Sequence, residues 1–318
     1  MKNLRLILLC SLFLGIGFFL ARWLFPPPAA PVSPDGLPPA PPPAAATEPA
    51  QPPTSLTTLL QPRLGELLST GHGDYDIYVQ NLKNDDIYCN HSESRPSASM
   101  IKMYILAYAF QLVQDGQLDL QESLTLRPED KVGGAGDIQG LPSGTRLSLR
   151  TLLEKMIEDS DNVATNMLIE RLGRERIQNY IQAHGYRDTR LQREMMDLKA
   201  VEQGRDNYTS VQDLAQIFHQ LYHHQCVSPE LDEQMISILK AQTDNDKIPP
   251  GLGPEAQCAH KTGEVEGYLH DGGLIYNPKN DYLLVIMTRE QAAPATVTGD
   301  MVQISQRVFQ TIMETPPA

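Results

Sequence analysis

The chain has 318 residues, 41% of them hydrophobic, which is enough to bury the core of one large domain or two ordinary domains. This composition excludes intrinsic disorder of the whole chain. The 26 Lys and Arg residues are outnumbered by 39 Asp and Glu residues, which gives a formal net charge of −13. Because each phosphate contact needs a nearby cation, this charge excludes nucleic acid as a partner.

The N-terminus has the pattern of a membrane signal. Lys2 and Arg5 precede an apolar run, residues 6–25, that is about long enough to span a bilayer. No small-x-small cleavage site follows this run, so the pattern predicts an uncleaved signal anchor in residues 1–25, with the remainder of the chain extracytoplasmic. Cleavage of the segment, which would leave a secreted or periplasmic protein, is the alternative.

A linker is predicted after the anchor. Residues 26–54 are mainly Pro and Ala, a composition that favours extended polyproline conformation and cannot bury a core. The linker would hold a domain, residues 55–318, away from the membrane.

Four cysteines are spread along the chain without a Cys-x-x-Cys pair. This spacing indicates neither a zinc cluster nor a dense disulfide framework. If the domain is exported, one bridge among Cys89, Cys226 and Cys258 remains open, and the sequence does not choose the pair.

From residue 55 the periodicity predicts an α+β fold. A helix at 56–68 is followed by strands at 76–81 and 86–89, which meet at a turn of Lys83, Asn84 and Asp85. The pattern then predicts helices at 97–114, 149–158, 163–172, 175–184, 210–223 and 229–242, strands at 257–260, 273–276 and 282–287, and a helix at 298–313. This order predicts a five-stranded antiparallel sheet flanked by helices, with an inserted all-α lobe. A cleft between the lobes is the expected place for a site.

The first motif is Ser99-Met100-Ile101-Lys102, at the start of the helix 97–114. Residues three apart share a helix face, so Lys102 can reach the hydroxyl of Ser99. A serine is a weak nucleophile until a neighbour takes its proton, and a buried lysine with a lowered pKa can act as that base. The alternative is that Ser99 only begins the helix.

The second motif is Ser160-Asp161-Asn162, between two helices of the helical block. A hydroxyl and an amide on one rigid turn can pass a proton and hold a substrate carbonyl, while the carboxylate between them fixes the turn. The alternative is an ordinary interhelical N-cap.

The third motif is Lys261-Thr262-Gly263, which follows the strand 257–260. The ammonium and hydroxyl can bind a substrate carboxylate, and Gly263 would let a ligand approach the backbone. The alternative is a charged end of an edge strand. All three motifs in this order are expected by chance at roughly the one-in-a-thousand level, which favours a shared site.

With these three motifs the domain resembles the penicillin-recognising active-site serine hydrolases, and class A β-lactamases in particular. The resemblance runs from about residue 56 to the C-terminus, and it implies a β-lactamase/transpeptidase-like fold. It implies that Ser99 is the acylated nucleophile, that Lys102 activates it and that Ser160 takes part in catalysis. Substrate-binding roles are implied for Asn162, Lys261, Thr262, Gly263 and Glu264, with the backbone N–H groups of Ser99 and Glu264 as the oxyanion hole.

One departure from the resemblance concerns the loop that holds the hydrolytic water. Class A β-lactamases place a Glu two residues after an Arg, and if Arg193 is that Arg the position holds Met195. Glu194 and Asp197 lie nearby in the sequence as candidate deacylation bases, although either could be structural. Acylation chemistry is therefore predicted to be complete, and efficient turnover is not.

Taken together, the N-terminal pattern, the resemblance and the missing Glu predict an exported, membrane-tethered serine hydrolase that opens β-lactams, with slow deacylation and no cofactor. A D-Ala-D-Ala peptidase acting on cell-wall peptide and a β-lactam-sensing module are the alternatives. The expected partners are a β-lactam or acyl-D-Ala-D-Ala-like molecule and the membrane, with the protein a monomer.

Three weaker patterns remain. His219 and His223 are spaced as zinc ligands can be, but residue 220 is Gln where a metallopeptidase helix has Glu, so no metal site is predicted. The glycine-rich residues 133–140 are expected to form a loop at the cleft rim. His260 is expected to pack on its strand, and contact with substrate is the alternative.

Overall fold

The computed structural model describes residues 55–315. The predicted anchor of residues 1–25 and the linker of residues 26–54 lie outside this range and stay predictions. No helix within residues 55–315 is long and apolar enough to cross a membrane.

A five-stranded antiparallel sheet forms the centre of the fold, in the strand order β2-β1-β9-β8-β7. Its elements are α1 (Leu56–Thr70), β1 (Gly73–Asn81), β2 (Ile87–Cys89), β7 (Gln257–Val265), β8 (Tyr268–Tyr276), β9 (Tyr282–Glu290) and α9 (Pro294–Glu314). The predicted sheet is confirmed, and its last three strands are longer than predicted. Because β7 continues through Val265, the third motif lies within an edge strand.

The helical lobe is inserted between β2 and β7. It contains α2 (Lys102–Gln114), α3 (Leu149–Glu158), α4 (Asn162–Leu172), α5 (Arg174–Ala183), α6 (Leu198–Glu202), α7 (Val211–Tyr222) and α8 (Pro229–Lys240). The insertion is not purely helical, because two short ladders join β3 (Arg95–Pro96) to β6 (Tyr208–Thr209) and β4 (Ser123–Thr125) to β5 (Arg146–Ser148). Runs of two or three residues are too short to show a strand period in the sequence.

Two hydrophobic cores lie on opposite faces of the sheet. Successive side chains of a strand point to opposite faces, and β9 shows the alternation clearly. Leu283 and Val285 pack with the helical lobe, whereas Leu284 and Ile286 pack with α1 and α9. The continuous apolar run of β9 therefore follows from burial on both faces.

Candidate active site

The first motif lies in a tight turn that leads into α2. Residues Ala98–Ile101 form a 3₁₀ turn, and Lys102 begins the α-helix. Ser99 is half-buried, whereas the side chain of Lys102 is completely buried. Ala98 has a φ of 45°, an uncommon conformation for a residue with a Cβ. The turn thus holds the Ser99 hydroxyl at the surface with strained backbone beside it, a combination found at functional sites.

Strand β7 lies directly against this turn. A Cβ on Gly263 would lie 3.0 Å from Met100 Cγ and 3.2 Å from the carbonyl oxygen of Ser97. The absence of a side chain at Gly263 therefore lets the sheet edge pack on the turn that contains Ser99. The space that a Cβ would fill is taken by Met100 and the Ser97 carbonyl, and Gly263 also lines a cavity, so the predicted approach of a ligand to this backbone stays a prediction.

The second motif lies on the turn between α3 and α4. Asp161 is the N-cap of α4, where Oδ1 accepts the Ala164 N–H at 2.8 Å and Oδ2 accepts the Ile138 N–H at 2.9 Å. A Cβ on Gly136 would lie 2.1 Å from Asp161 Oδ2, so the glycine-rich loop can pack here only with Gly at this position. The carboxylate fixes the turn as the sequence predicts, and it also ties the loop to that turn.

The hydroxyl of Ser160 joins the three motifs. Lys102 Nζ and Lys261 Nζ each donate to Ser160 Oγ at 3.1 Å. Lys102 Nζ also donates to the Ser160 carbonyl oxygen at 2.6 Å and to Asn162 Oδ1 at 3.1 Å. The hydrogen bonds found within residues 55–315 do not include one between Lys102 Nζ and Ser99 Oγ. Lys102 therefore contacts the second motif where the sequence argument expected it to contact Ser99.

Burial changes the proton affinity of both lysines. Desolvation, reinforced by the charge of Lys261, holds the pKa of Lys102 well below its ordinary value. Desolvation also lowers the pKa of Lys261 to about 7, although Asp244 and Asp271 favour its charged form. One of the two lysines can therefore be neutral near pH 7, and a neutral lysine is a proton acceptor.

A cavity of about 170 Å³ lies above this cluster. The predicted site residues Ser99, Ser160, Thr262, Gly263 and Glu264 line it, with Asp244 among their neighbours. Lys102, Asn162 and Lys261 lie behind this lining, since none of them is more than 7% exposed. A larger cavity of about 550 Å³ beside α1 and β1 contains no residue of the three motifs, so size alone does not locate the site.

Glu264 takes part in an ion network at the cavity rim. Its carboxylate lies 2.7 Å from Nζ of the fully buried Lys247, which also pairs with Asp246 at 2.6 Å and Asp244 at 3.0 Å. Although burial disfavours the charged ammonium, Asp246 and Glu264 hold the pKa of Lys247 above its usual value. The Glu264 side chain is therefore paired, and the role predicted for this residue rests on its backbone N–H.

The loop that contains Met195 is braced from α4. Asn166 Oδ1 accepts the Met195 N–H at 2.8 Å, and Asn166 Nδ2 donates to the Met195 carbonyl oxygen at 3.0 Å. Arg193 anchors the preceding turn through a 2.7 Å ion pair with Asp206. Residue 195 is thus held by two backbone hydrogen bonds, but its buried side chain is a thioether that cannot accept a proton from water.

Neither candidate deacylation base lines the cavity. Asp197 is the N-cap of α6, where its Oδ1 accepts the Ala200 N–H at 3.0 Å. Glu194 is exposed. Asp197 therefore has a structural task, and neither carboxylate is among the residues that line the cavity with Ser99.

His260 packs inside the sheet region, and the three described cysteines are not bonded to one another. His260 is buried, and its ring nitrogens lie 2.8 Å from Asp271 Oδ1 and 3.2 Å from Asn245 Oδ1. It does not line the cavity, which supports the packing interpretation. Cys89, Cys226 and Cys258 are free, so no disulfide is present within residues 55–315.

Comparison with known proteins gives the family. Residues 59–312 match the model of the beta-lactamase enzyme family. A beta-lactamase from Streptomyces lavendulae is 25% identical over 235 residues, which cover 71% of this chain and 77% of that protein. With the fold and the three motifs already defining a penicillin-recognising serine hydrolase, the chain belongs to the beta-lactamase enzyme family.

Two solved structures give the same fold. The structure of PBP-A superposes with a TM-score of 0.76 at 29% identity and covers 83% of this chain and 99% of that chain. A leucine-to-glutamate mutant of PBP-A, solved as an acyl-enzyme complex with penicillin G, gives a TM-score of 0.75 at 29% identity with the same coverage.

Three supporting residues were not found from the sequence. The contacts of Lys247 with Glu264 and of Asn166 with Met195 join segments that are distant in the sequence, so no local pattern indicates them. Gly136 was noted only as part of a glycine-rich loop.

Proposed function

We propose that this protein is acylated at Ser99 by β-lactams, opens their amide bond and releases the product slowly. The observation that carries the proposal is the hydroxyl of Ser160, held 3.1 Å from the amines of both Lys102 and Lys261 beside the Ser99 turn. A serine hydroxyl has two acceptor lone pairs and one donor proton. When both lysines donate to it, its own O–H is free to donate into the cavity.

This arrangement supports a proton path for acylation. A neutral Lys102 would take the proton of Ser99, directly after a small side-chain movement or through Ser160. Ser99 Oγ would then bond to the carbonyl carbon of the β-lactam. When the carbon–nitrogen bond breaks, the O–H of Ser160 would protonate the leaving nitrogen and a lysine would reprotonate Ser160.

Substrate binding is assigned to the sheet side of the cavity. A protonated Lys261 and the Thr262 hydroxyl would hold the substrate carboxylate. The backbone N–H groups of Ser99 and Glu264 would stabilise the oxyanion. Gly263 packs on the turn that contains Ser99, and Glu264 follows Gly263 in the same strand. This contact supports the proposed oxyanion hole, because it keeps the backbone of Glu264 close to that of Ser99.

Slow release is the second part of the proposal. Hydrolysis of a serine ester needs a group that takes a proton from water, and such a base typically contributes 10²–10⁴-fold. Met195 cannot act as this base, Asp197 caps a helix and Glu194 is exposed. An acyl-enzyme without a base should therefore persist.

Mass spectrometry after a short penicillin pulse tests both parts. We expect a mass increase of one penicillin on the Ser99 peptide, which persists after free drug is removed. The absence of an adduct together with the absence of hydrolysed penicillin would overturn the acylation. Rapid consumption of many equivalents of penicillin would overturn the slow release.

A D-Ala-D-Ala peptidase is the second candidate, favoured by the 29% identity to PBP-A over 99% of that chain and by Met195. The same nucleophile and carboxylate site would then serve a cell-wall peptide. Release of D-Ala from an acyl-D-Ala-D-Ala peptide, absent in Ser99→Ala, would support it. Adduct formation without peptide cleavage would favour a β-lactam-sensing module.

We also propose that the protein is tethered to the membrane with its catalytic domain outside the cytoplasm. The apolar run of residues 6–25 after two basic residues supports this location, and the Pro/Ala-rich residues 26–54 would be the tether. Recovery of the intact chain in the membrane fraction, resistant to salt but extracted by detergent, is the expected result. A shortened, soluble protein would favour signal cleavage.

A further inference from the structure

The C-terminal half of α7 faces the β1–β2 turn with a set of metal-ligating side chains. His219 and His223 are one helical turn apart, and their ring centroids are 4.4 Å apart. Asp85, from the β1–β2 turn, completes a group whose potential ligand atoms all lie within 4.8 Å of one another. We propose that Asp85, His219 and His223 form a binding site for a divalent transition-metal ion such as zinc.

The spacing of the ligand atoms fits such an ion. His219 Nε2 lies 3.5 Å from Asp85 Oδ1. Zinc binds imidazole nitrogen and carboxylate oxygen at about 2.0–2.2 Å in tetrahedral geometry, which separates neighbouring ligand atoms by about 3.3 Å. Two imidazoles and one carboxylate suit zinc and its neighbours, and they leave the fourth position for water.

The imidazole of His223 is prepared to donate a lone pair. Its Nε2 is buried and has no hydrogen-bond partner among the described residues. A buried polar atom without a partner is costly, so a ligand that satisfies it contributes to stability.

The carboxylate is also oriented by its surroundings. Asp85 has a φ of 58°, and its Oδ1 accepts a 3.1 Å hydrogen bond from Nε2 of the buried Gln80. Hydrogen bonds to the ligands are a regular feature of protein metal sites. The nearby Lys83 ammonium donates to the Tyr222 hydroxyl at 2.9 Å and pairs with Asp281 at 3.2 Å. The Asp281 carboxylate therefore partly neutralises the charge of Lys83, which would otherwise repel a cation. The side chain of His219 is 33% exposed, so an ion has a path from solvent.

A second group of potential metal ligands is already neutralised by a lysine of the protein. Asp244, Asp246 and Glu264 also lie within 4.8 Å of one another. Nζ of Lys247 lies between them at 2.6–3.0 Å and neutralises their charge. The group of Asp85, His219 and His223 contains no such cation.

The proposed site would clamp the sheet edge to α7. Strand β2 has three residues, and its turn contacts α7 through Lys83. The N-terminal end of α7, which follows β6, is the end near the nucleophile, because Ser97 N–H bonds to the Asn207 carbonyl. A helix of 12 residues is about 18 Å long, so the clamp is remote from the active site and independent of the proposed function.

Zinc titration of the full-length, chelator-treated protein tests the proposal. Calorimetry should give one zinc per chain, and saturating zinc should raise the midpoint of thermal unfolding by about 5 °C. His219→Ala and His223→Ala should each weaken zinc binding at least tenfold, and Asp85→Asn should weaken it less. Penicillin labelling should be equal with and without zinc.

Two matched variants separate this site from other zinc ligands. His91→Ala removes an exposed histidine and Cys89→Ser an exposed thiol, both outside α7, and neither should change zinc affinity. Unchanged binding in the His219→Ala, His223→Ala double variant would overturn the proposal. Loss of binding in Cys89→Ser, or no binding at millimolar zinc, would overturn it as well.

Discussion

The Ser99 side of the cavity and the loop of residues 193–199 are both held in place by hydrogen bonds, but the side chains that they position differ in their ability to transfer protons. On the Ser99 side, hydrogen bonds hold the amines of Lys102 and Lys261 against the hydroxyl of Ser160. On the loop side, Asn166 fixes the backbone of Met195 with two hydrogen bonds, and the side chain there is a thioether. The structural support of a position and the reactivity of the residue at that position are therefore separable.

The largest effect should come from removing the nucleophile. Ser99→Ala should reduce labelling by fluorescent penicillin to background, because no other hydroxyl occupies that position in the turn. The variant should fold normally, as judged by its circular dichroism and unfolding midpoint. Ser69→Ala, on the exposed face of α1, is the matched control and should label fully. Equal labelling of Ser99→Ala would refute the assignment of the nucleophile.

The loop side can be tested by supplying the missing base. Met195→Glu places a carboxylate at the braced position and should accelerate loss of the penicilloyl adduct, measured by mass spectrometry over time. General-base help is worth about 10²–10⁴-fold, and we expect an acceleration at the lower end of that range. Met195→Gln, similar in size but without a base, should release no faster than the native protein.

The native protein provides the converse test. Rapid multiple turnover of penicillin would mean that a base is already present. If Asp197→Asn or Glu194→Gln then trapped the adduct, the substituted residue would be that base.

A substitution of Lys261 tests whether this residue binds the substrate carboxylate or only supports the fold. Lys261→Ala should slow acylation by carboxylate-bearing β-lactams by about 10²-fold and affect a neutral acyl ester much less. Since the pKa of Lys261 is about 7, acylation by carboxylate substrates should also decline as pH rises above that value, with no such decline in the variant. Equal losses for both substrates in stopped-flow assays would indicate a structural role.

A smaller effect concerns stability. Lys261→Met should raise the free energy of unfolding at pH 7 by on the order of 2 kcal/mol, because it removes an amine whose charged form is disfavoured by burial. The unfolded lysine has a pKa of about 10.4, so the gain should be largest near and below pH 7 and fade as pH rises toward 10. Urea unfolding at pH 7 and pH 10 measures this, and a gain that grows with pH would contradict it.

The smallest effect on penicillin labelling should come from removing residues 1–54. Their composition contributes nothing to a core, so a chain that starts at Ser55 should be soluble and label with penicillin at the native rate. An inactive truncation would mean that the linker packs on the domain.

Sequence periodicity was sufficient for the main elements. The helix of residues 149–158 has the predicted bounds, and five other helices agree with the prediction to within two residues at each end. The helices predicted at 97–114 and 298–313 begin instead at Lys102 and Pro294. The pattern failed where elements are short, as with α6 and the two small ladders. The predicted β7 also ends too early, because Lys261 and Gly263 are not typical strand residues, although the fold buries all three residues of the motif.

The site was predicted as a set of residues but not as a geometry. Each of the three motifs is a short run of residues that can be recognised in the sequence, and together they name most of the residues that meet at the cavity. The contact of both lysines with one hydroxyl, the pairing of Glu264 with Lys247 and the approach of Asp85 to His219 depend on distant segments. Such contacts arise from tertiary packing and have no signature within any one segment.

Strand β9 has a consequence for how the domain responds to heat. Alternate side chains of this strand belong to different cores, so neither core can come apart while the other keeps its full complement of contacts. We therefore expect unfolding of residues 55–315 to be cooperative, without a stable half-folded form. The fraction of molecules that still react with a fluorescent penicillin would then equal the fraction that is native, which makes the drug itself a gauge of folding.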